Sequence, residues 1–288
     1  LFWLLGYPEA LNYQEQNQLF LTTTDYFIQR MAVPGGLADY VSEFIVQFYY
    51  VPWLGALLIG IMYAVMQWIM WTIVRKWDRT AFPITFLLPL LMLWHQGDID
   101  TLLSLPVAIV MALGATVAMS KYGRHGYLLD IVSVPVFYWA AGPAAVIYVA
   151  IRGLQYGWKL FIEDTVLFAI SIMAAYWVVD YQWPLSMMVG GINYYRIPLM
   201  APVMQYVVLL SPIAIALATR FNPWKKDDAF SRTRRYLHLA LKVSSLAIVG
   251  IFAINKGFDP FVYEILWQDS MVRQERWHDI IKRAERHQ

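Results

Sequence analysis

"YVPWLGALLIGIMYAVMQWIMWTIV", residues 50–74, carries no charged side chain in twenty-five positions. An α-helix rises about 1.5 Å per residue, so this run is long enough to cross a hydrocarbon core of about 30 Å. Inside that core every backbone amide must be bonded within its own segment, and a helix achieves this. Further apolar runs follow at 81–94, 101–120, 127–155, 166–179, 199–219 and 236–254. The run at 127–155 is interrupted by "AAGPAA" at 140–145. Gly-Pro punctuates helices, so it reads as a tight hairpin of two short helices.

These runs predict an all-α, polytopic transmembrane helix bundle of about eight spans plus a truncated first span. "LFWLLG" at 1–6 reads as the stub of that cut span. Composition agrees: 59% of the residues are hydrophobic and 15% charged, against about a quarter charged in soluble domains. Barrel strands would be short and alternating, and these runs are neither. There is no cysteine, which removes disulfides, thiolate chemistry and cysteine-held metals. The expected partner is the lipid bilayer, with no nucleic acid.

The charge is segregated. Loops 75–79, 121–126, 152–159 and 220–235 hold thirteen Lys and Arg residues, and the alternate loops 7–49, 95–100, 140–145 and 181–198 hold two. By the positive-inside rule the first set faces the cytoplasm. The alternation holds only if 127–155 is a hairpin. The expected location is a bacterial inner membrane, with the first loop and the C-terminal tail in the periplasm.

The transmembrane domain is expected over 1–258, with external interfacial helices at 8–49. Placed on one helix, Gln14, Glu15, Gln18, Thr22, Asp25 and Gln29 share a polar face, opposite Tyr13, Phe20, Phe27 and Met31. "VPGG" at 33–36 ends that helix. A second helix is expected from near Leu37 into the 50–74 span, with Asp39, Glu43 and Gln47 on one stripe. From 259 to 288 charge mixes with Leu266, Val272, Trp277, Ile280, Ile281 and Ala284. That pattern predicts the start of a soluble amphipathic region, similar to the first helix of a tetratricopeptide repeat. Its apolar stripe needs a partner, so other envelope proteins are candidates.

A carboxylate near the membrane surface is expensive unless it is solvated, paired or used. Glu15, in "YQEQNQ", is the leading candidate for a general base or metal ligand. Neighbouring amides such as Gln18 can bond a sugar. Asp39 and Glu43 are further catalytic candidates, against the plain reading of solvated helix faces. "WHQGDID" at 94–100 places His95, Asp98 and Asp100 in one loop. They could hold a divalent cation, or the two aspartates could cap the next helix. "GGINYYRIP" at 190–198 holds Asn193, Tyr194, Tyr195 and the outward Arg196. That arginine either binds a lipid phosphate, pairs with Glu15, Asp39 or Glu43, or lies free. Signatures of P-loop ATPases, HExxH metalloproteases and GxSxG hydrolases are absent. Within the spans the ionisable residues noted are Asp130, Asp180 and Lys242, all near ends. That weighs against a lipid or polysaccharide transporter.

"GYPEALNYQEQNQLFLTTTDYF" and "PGGLADYVSEFIVQFYYVPWLGALL" resemble the opening of an uncharacterised polytopic inner-membrane protein family of Bacteroidota, with a membrane domain followed by a helical-repeat-like region. A looser similarity is to the GT-C glycosyltransferases, whose first external loop carries paired amphipathic helices and an acidic catalytic residue. That resemblance implies a polyisoprenyl-phosphate-linked sugar as donor, Glu15 as the best-matching acid, and Asp39 and Glu43 as alternatives. Arg196 would hold the phosphate. The loop lacks a paired Asp-Glu or Asp-Asp motif, and the spans are fewer than in most members. The rival function is a non-enzymatic subunit or scaffold of an envelope complex.

Overall fold

The computed structural model describes residues 2–120, 127–179, 183–222 and 232–286. The loops at 121–126 and 223–231 and the side chains of Asp130 and Asp180 lie outside the described residues. The described chain is helical, with one isolated bridge between Thr101 and Tyr195. Short helices α1 (Phe2–Gly6), α2 (Pro8–Gln16), α3 (Thr24–Met31) and α4 (Gly36–Val46) lead to the long α5 (Pro52–Val74). Then come α6 (Leu87–His95), α7 (Ser104–Met119), α8 (Tyr127–Ala141), α9 (Ala145–Tyr156) and α10 (Trp158–Val178). The chain finishes with α11 (Leu185–Gly190), α12 (Val203–Arg220), α13 (Arg232–Gly257), α14 (Pro260–Arg273) and α15 (Trp277–Arg286).

Among the described residues five helical segments are long and apolar enough to cross a membrane: Pro52–Val74, Ile131–Tyr156, Trp158–Val178, Val203–Arg220 and Leu239–Gly257. The outer surface agrees. On α10, Ile162, Val166, Ile170, Met173 and Trp177 form a stripe with exposures of 46 to 79%. A protein surrounded by water rarely shows such a continuous apolar face, and a bilayer solvates it. This is a multi-pass membrane protein.

Ile131–Tyr156 is not one rod. In a straight helix Ser133 and Tyr148 would be roughly 22 Å apart, yet their hydroxyls are 2.9 Å apart. The chain folds back through a 3-10 turn at Gly142–Ala144, and α8 and α9 form the expected hairpin. Gly142 has φ +63°, and a Cβ there would lie 3.1 Å from the Tyr194 hydroxyl and 3.3 Å from the Gly35 Cα. Only glycine suits both demands.

The loops gather at two ends. At one, Lys76 donates to Ser120, Asn222 to Asp78 and Lys242 to the Thr80 carbonyl. Arg75, Lys76, Arg79 and Arg220 lie in these segments, so this is the basic end. At the other, the hairpin tip meets Gly35 and Tyr194, and Tyr263 donates to the Gly97 carbonyl at 2.9 Å. α14 returns to that second end: Tyr263 and Leu266 enter the main core beside Trp3, Leu11 and Tyr49.

Two helical expectations change. The single interfacial helix over the first loop is two helices, α2 and α3, separated at 17–23. Asn17 turns its amide onto the Tyr13 carbonyl (2.7 Å), and Thr23 caps α3 by accepting from the Tyr26 amide. Short polar side chains that bond nearby backbone compete with helix continuation. Glu15 and Asp25 therefore do not share a helix face. α4 likewise stops at Val46, because Pro52 opens a new helix after a 3-10 turn at Gln47–Tyr50.

Candidate functional site

The sequence around Gly36 brings a cation onto two carboxylates. A Cβ at Gly36 would sit 1.8 Å from the Arg30 carbonyl oxygen, so the end of α3 meets the start of α4 backbone to backbone. Arg30 is thereby set above Asp39 and Glu43, one turn apart on α4. Its Nη1 lies 3.2 Å from Asp39 Oδ2, and its Nη2 binds Glu43 Oε1. Tyr26 donates to Glu43 Oε2 at 2.5 Å and accepts from Arg30 Nε and Nη2 at 3.1 and 2.9 Å. Asp39 and Glu43 are buried, and Arg30 is one-third exposed.

One cation serves two carboxylates here. Burial, and next the charge of Glu43, raise the Asp39 pKa to about 7, although Arg30 pulls it down. Burial also raises Glu43, against its bonds to Tyr26 and Arg30. Burial and the Glu43 contact push the Tyr26 phenol up to about 12. A carboxyl that exchanges its proton near neutrality is what general acid–base chemistry requires. α3 covers the pair through Arg30 and Tyr26.

A second network ties the 94–101 and 193–196 segments together. Tyr195 donates to Asp98 Oδ2 at 2.8 Å. Arg196 Nη1 lies 2.9 Å from the Tyr13 hydroxyl and 3.4 Å from Asp100 Oδ1. Tyr194 closes the hairpin tip: its hydroxyl donates to the Ala141 carbonyl and accepts from the Ala144 amide at 3.0 Å. Ser104 binds the Asn193 carbonyl. His95 ends α6 beyond the apolar run and is 1% exposed. It lines a cavity with Asp98, Asp100, Lys256 and Asp259. Burial pushes its pKa down to about 4, against the pull of Asp98, so the imidazole is neutral.

The candidate residues thus separate. Asp39 and Glu43 come together, with Arg30 and Tyr26 as partners that the sequence does not single out. Arg30 is legible as the lone cation of the first loop, but its partners depend on the α3–α4 contact. Arg196 pairs with Asp100 and Tyr13, not with Glu15, Asp39 or Glu43. Asp98 and Asp100 do not cap α7, which begins at Ser104. Asp98 instead closes its own turn by accepting from the Asp100 amide at 3.0 Å. Glu15 and Gln18 lie near the end of α2 and just beyond it, and their side chains make no hydrogen bond or ion pair among the described residues. α2 meets α14 through Gln16, which accepts from Arg273 at 2.6 Å. Among the described residues no three His, Asp or Glu side chains gather as metal ligands.

One charged pair is not legible in the sequence. Arg152 on α9 and Asp164 on α10 lie 3.6 Å apart, 3% and 1% exposed. Arg152 also donates to Tyr148 (2.6 Å), which joins it to Ser133 on α8. Arg152 reads as a charge of the basic loop 152–159, and Asp164 lies just before the apolar run at 166–179. The fold buries both, with α8 joining through Ser133.

No curated protein and no solved structure matches the chain. A family model matches all of residues 1–288, so the chain belongs to the family described as a family of unknown function (DUF6057).

Proposed function

We propose that this is a multi-pass bacterial inner-membrane protein, with about eight spans over residues 50–254, that performs GT-C-like glycosyl transfer at its periplasmic face. Orientation rests on the charge bias: the basic end would face the cytoplasm. The reaction class follows from the resemblance of the first external loop, and the donor would be a polyisoprenyl-phosphate-linked sugar. The observation that supports it is the Asp39–Glu43 pair beneath Arg30, with one proton exchangeable near neutral pH. Asp39 would take the proton of the acceptor hydroxyl as the glycosidic bond forms. Arg30, released when α3 lifts, would neutralise the departing lipid phosphate. Glu15 drops behind Asp39 in this scheme, because no neighbour positions its side chain.

Complementation of a deletion strain, read as its envelope glycan profile, tests this. Asp39→Asn and Glu43→Gln should fail to restore the profile while still accumulating in the membrane, and Glu15→Gln should restore it. Full rescue by Asp39→Asn would sink the catalytic reading. A scaffold role is the second reading, favoured by Trp277 and Ile281, four residues apart on α15 and 56% and 58% exposed. It would gain if deleting 274–288 abolished rescue while Asp39→Asn preserved it.

A further inference from the structure

The cavity at the end of α6 has a volume of about 690 Å³, within the range of about 300–1,000 Å³ usual for small-molecule sites. Its floor and rim come from the 97–100 turn, the end of α13 and the start of α14. His95 lines it while almost fully buried, and neither ring nitrogen has a hydrogen-bond partner among the described residues. A buried polar side chain left unpaired is costly, and a ligand in the cavity would remove that cost. The neutral imidazole offers one N–H and one lone pair.

The charge on the wall restricts the ligand. Asp98, Asp100 and Asp259 face it with a single cation, Lys256. Each carboxylate is already partly engaged: Asp98 receives Tyr195 and the Asp100 amide, Asp100 faces Arg196, and Asp259 caps α14 by accepting from the Phe261 amide at 2.9 Å. A carboxylate has about four acceptor positions, so each keeps room for another donor. The carboxylate excess repels a simple anion, and Lys256 alone among them favours a molecule carrying both signs. The height is also informative. The apolar run of α6 stops at Trp94 and α13 ends at Gly257, so the cavity lies where phospholipid headgroups lie.

We propose that this cavity binds a phosphoethanolamine headgroup, with its ammonium on the carboxylate wall beside His95 and its phosphate on Lys256. His95 accepts a hydrogen bond from the ammonium. The site is separate from the Arg30 cluster and does not depend on glycosyl transfer.

The full chain, purified in detergent and stripped of lipid, is titrated with three probes: a short-chain phosphatidylethanolamine, the matching phosphatidylglycerol, and free phosphoethanolamine. Binding is read by native mass spectrometry and by the thermal midpoint. The ethanolamine lipid should bind at least about tenfold more tightly than the glycerol lipid, since charge-assisted hydrogen bonds are lost in the latter. Lys256→Gln and His95→Leu should each weaken it by about tenfold. If free phosphoethanolamine competes, the headgroup alone is sufficient; if only the diacyl form binds, the ligand is a membrane lipid. Equal binding of both lipids, binding of none, or full affinity in Lys256→Gln overturns the assignment. Lys256 is exposed and makes no hydrogen bond or ion pair among the described residues, so that variant keeps the test alive should His95→Leu fail to fold.

Discussion

Replacing Asp39 by Asn should change how stability depends on pH, and the sign can be worked out. The folded pKa of Asp39, about 7, lies above its ordinary value of 3.8. Between those values the folded state holds a proton that the unfolded state releases. Stability from this group is therefore full below about pH 4 and falls as pH rises towards 7. The slope is about 1.4 kcal/mol per pH unit, which gives about 2–3 kcal/mol between about pH 5 and about pH 7.5. The asparagine amide cannot ionise and resembles the protonated acid. His95 runs the other way: its folded pKa of about 4 lies below 6.5, so its contribution is lost as pH falls from 6.5 towards 4. The difference between wild type and Asp39→Asn, rather than either curve alone, cancels His95 and reports Asp39 together with its coupled neighbour Glu43. Equilibrium unfolding in mixed detergent and SDS, followed by circular dichroism at several pH values, supplies that difference. The variant should gain on wild type by about 2–3 kcal/mol over this pH range. A constant difference, or one that shrinks with rising pH, would refute the idea that Asp39 is buried with a raised pKa.

Arg152→Leu and Asp164→Leu should be coupled by about 0.5–3 kcal/mol in the same unfolding assay, the double variant costing less than the sum of the two single ones; strict additivity would contradict the pair. Tyr194→Phe removes the hydroxyl that bridges the Ala141 carbonyl and the Ala144 amide, at about 1–3 kcal/mol. Faster hydrogen exchange at the Ala144 amide would show it, and unchanged exchange would contradict the bridge. Gly36→Ala forces apart the α3–α4 backbone contact. Its Asp39 should then lose most of the pH-dependent penalty, and a wild-type pH profile in this variant would argue against the close contact.

The membrane class was legible in the sequence because it depends on local composition. A run of twenty-five residues without charge admits one solvent, and the helix follows from the need to satisfy its amides there. The hairpin at 140–145 was legible for a similar reason, since an adjacent Gly-Pro pair punctuates a helix, whereas the single Pro135 and Pro212 stay inside α8 and α12. Capping is a subtler signal: Asn17 and Thr23 split the first loop into two helices. An apolar and polar face drawn across them carries no information about such a break.

What pairs with what was decided only by the tertiary structure. Asp39 and Glu43 stood out by spacing, one turn apart, but the cation that neutralises them arrives through a glycine contact between two helices. Arg196 has its nearest carboxylate ninety-six residues away, at Asp100, because a short bridge between Thr101 and Tyr195 draws the two loops together. Arg152 looks like a charge of a basic loop until the fold buries it against Asp164. Composition acts over one turn of chain and determines where the helices lie and what surrounds them. Charge pairing acts through space, over a few ångströms, and is set by which helices meet.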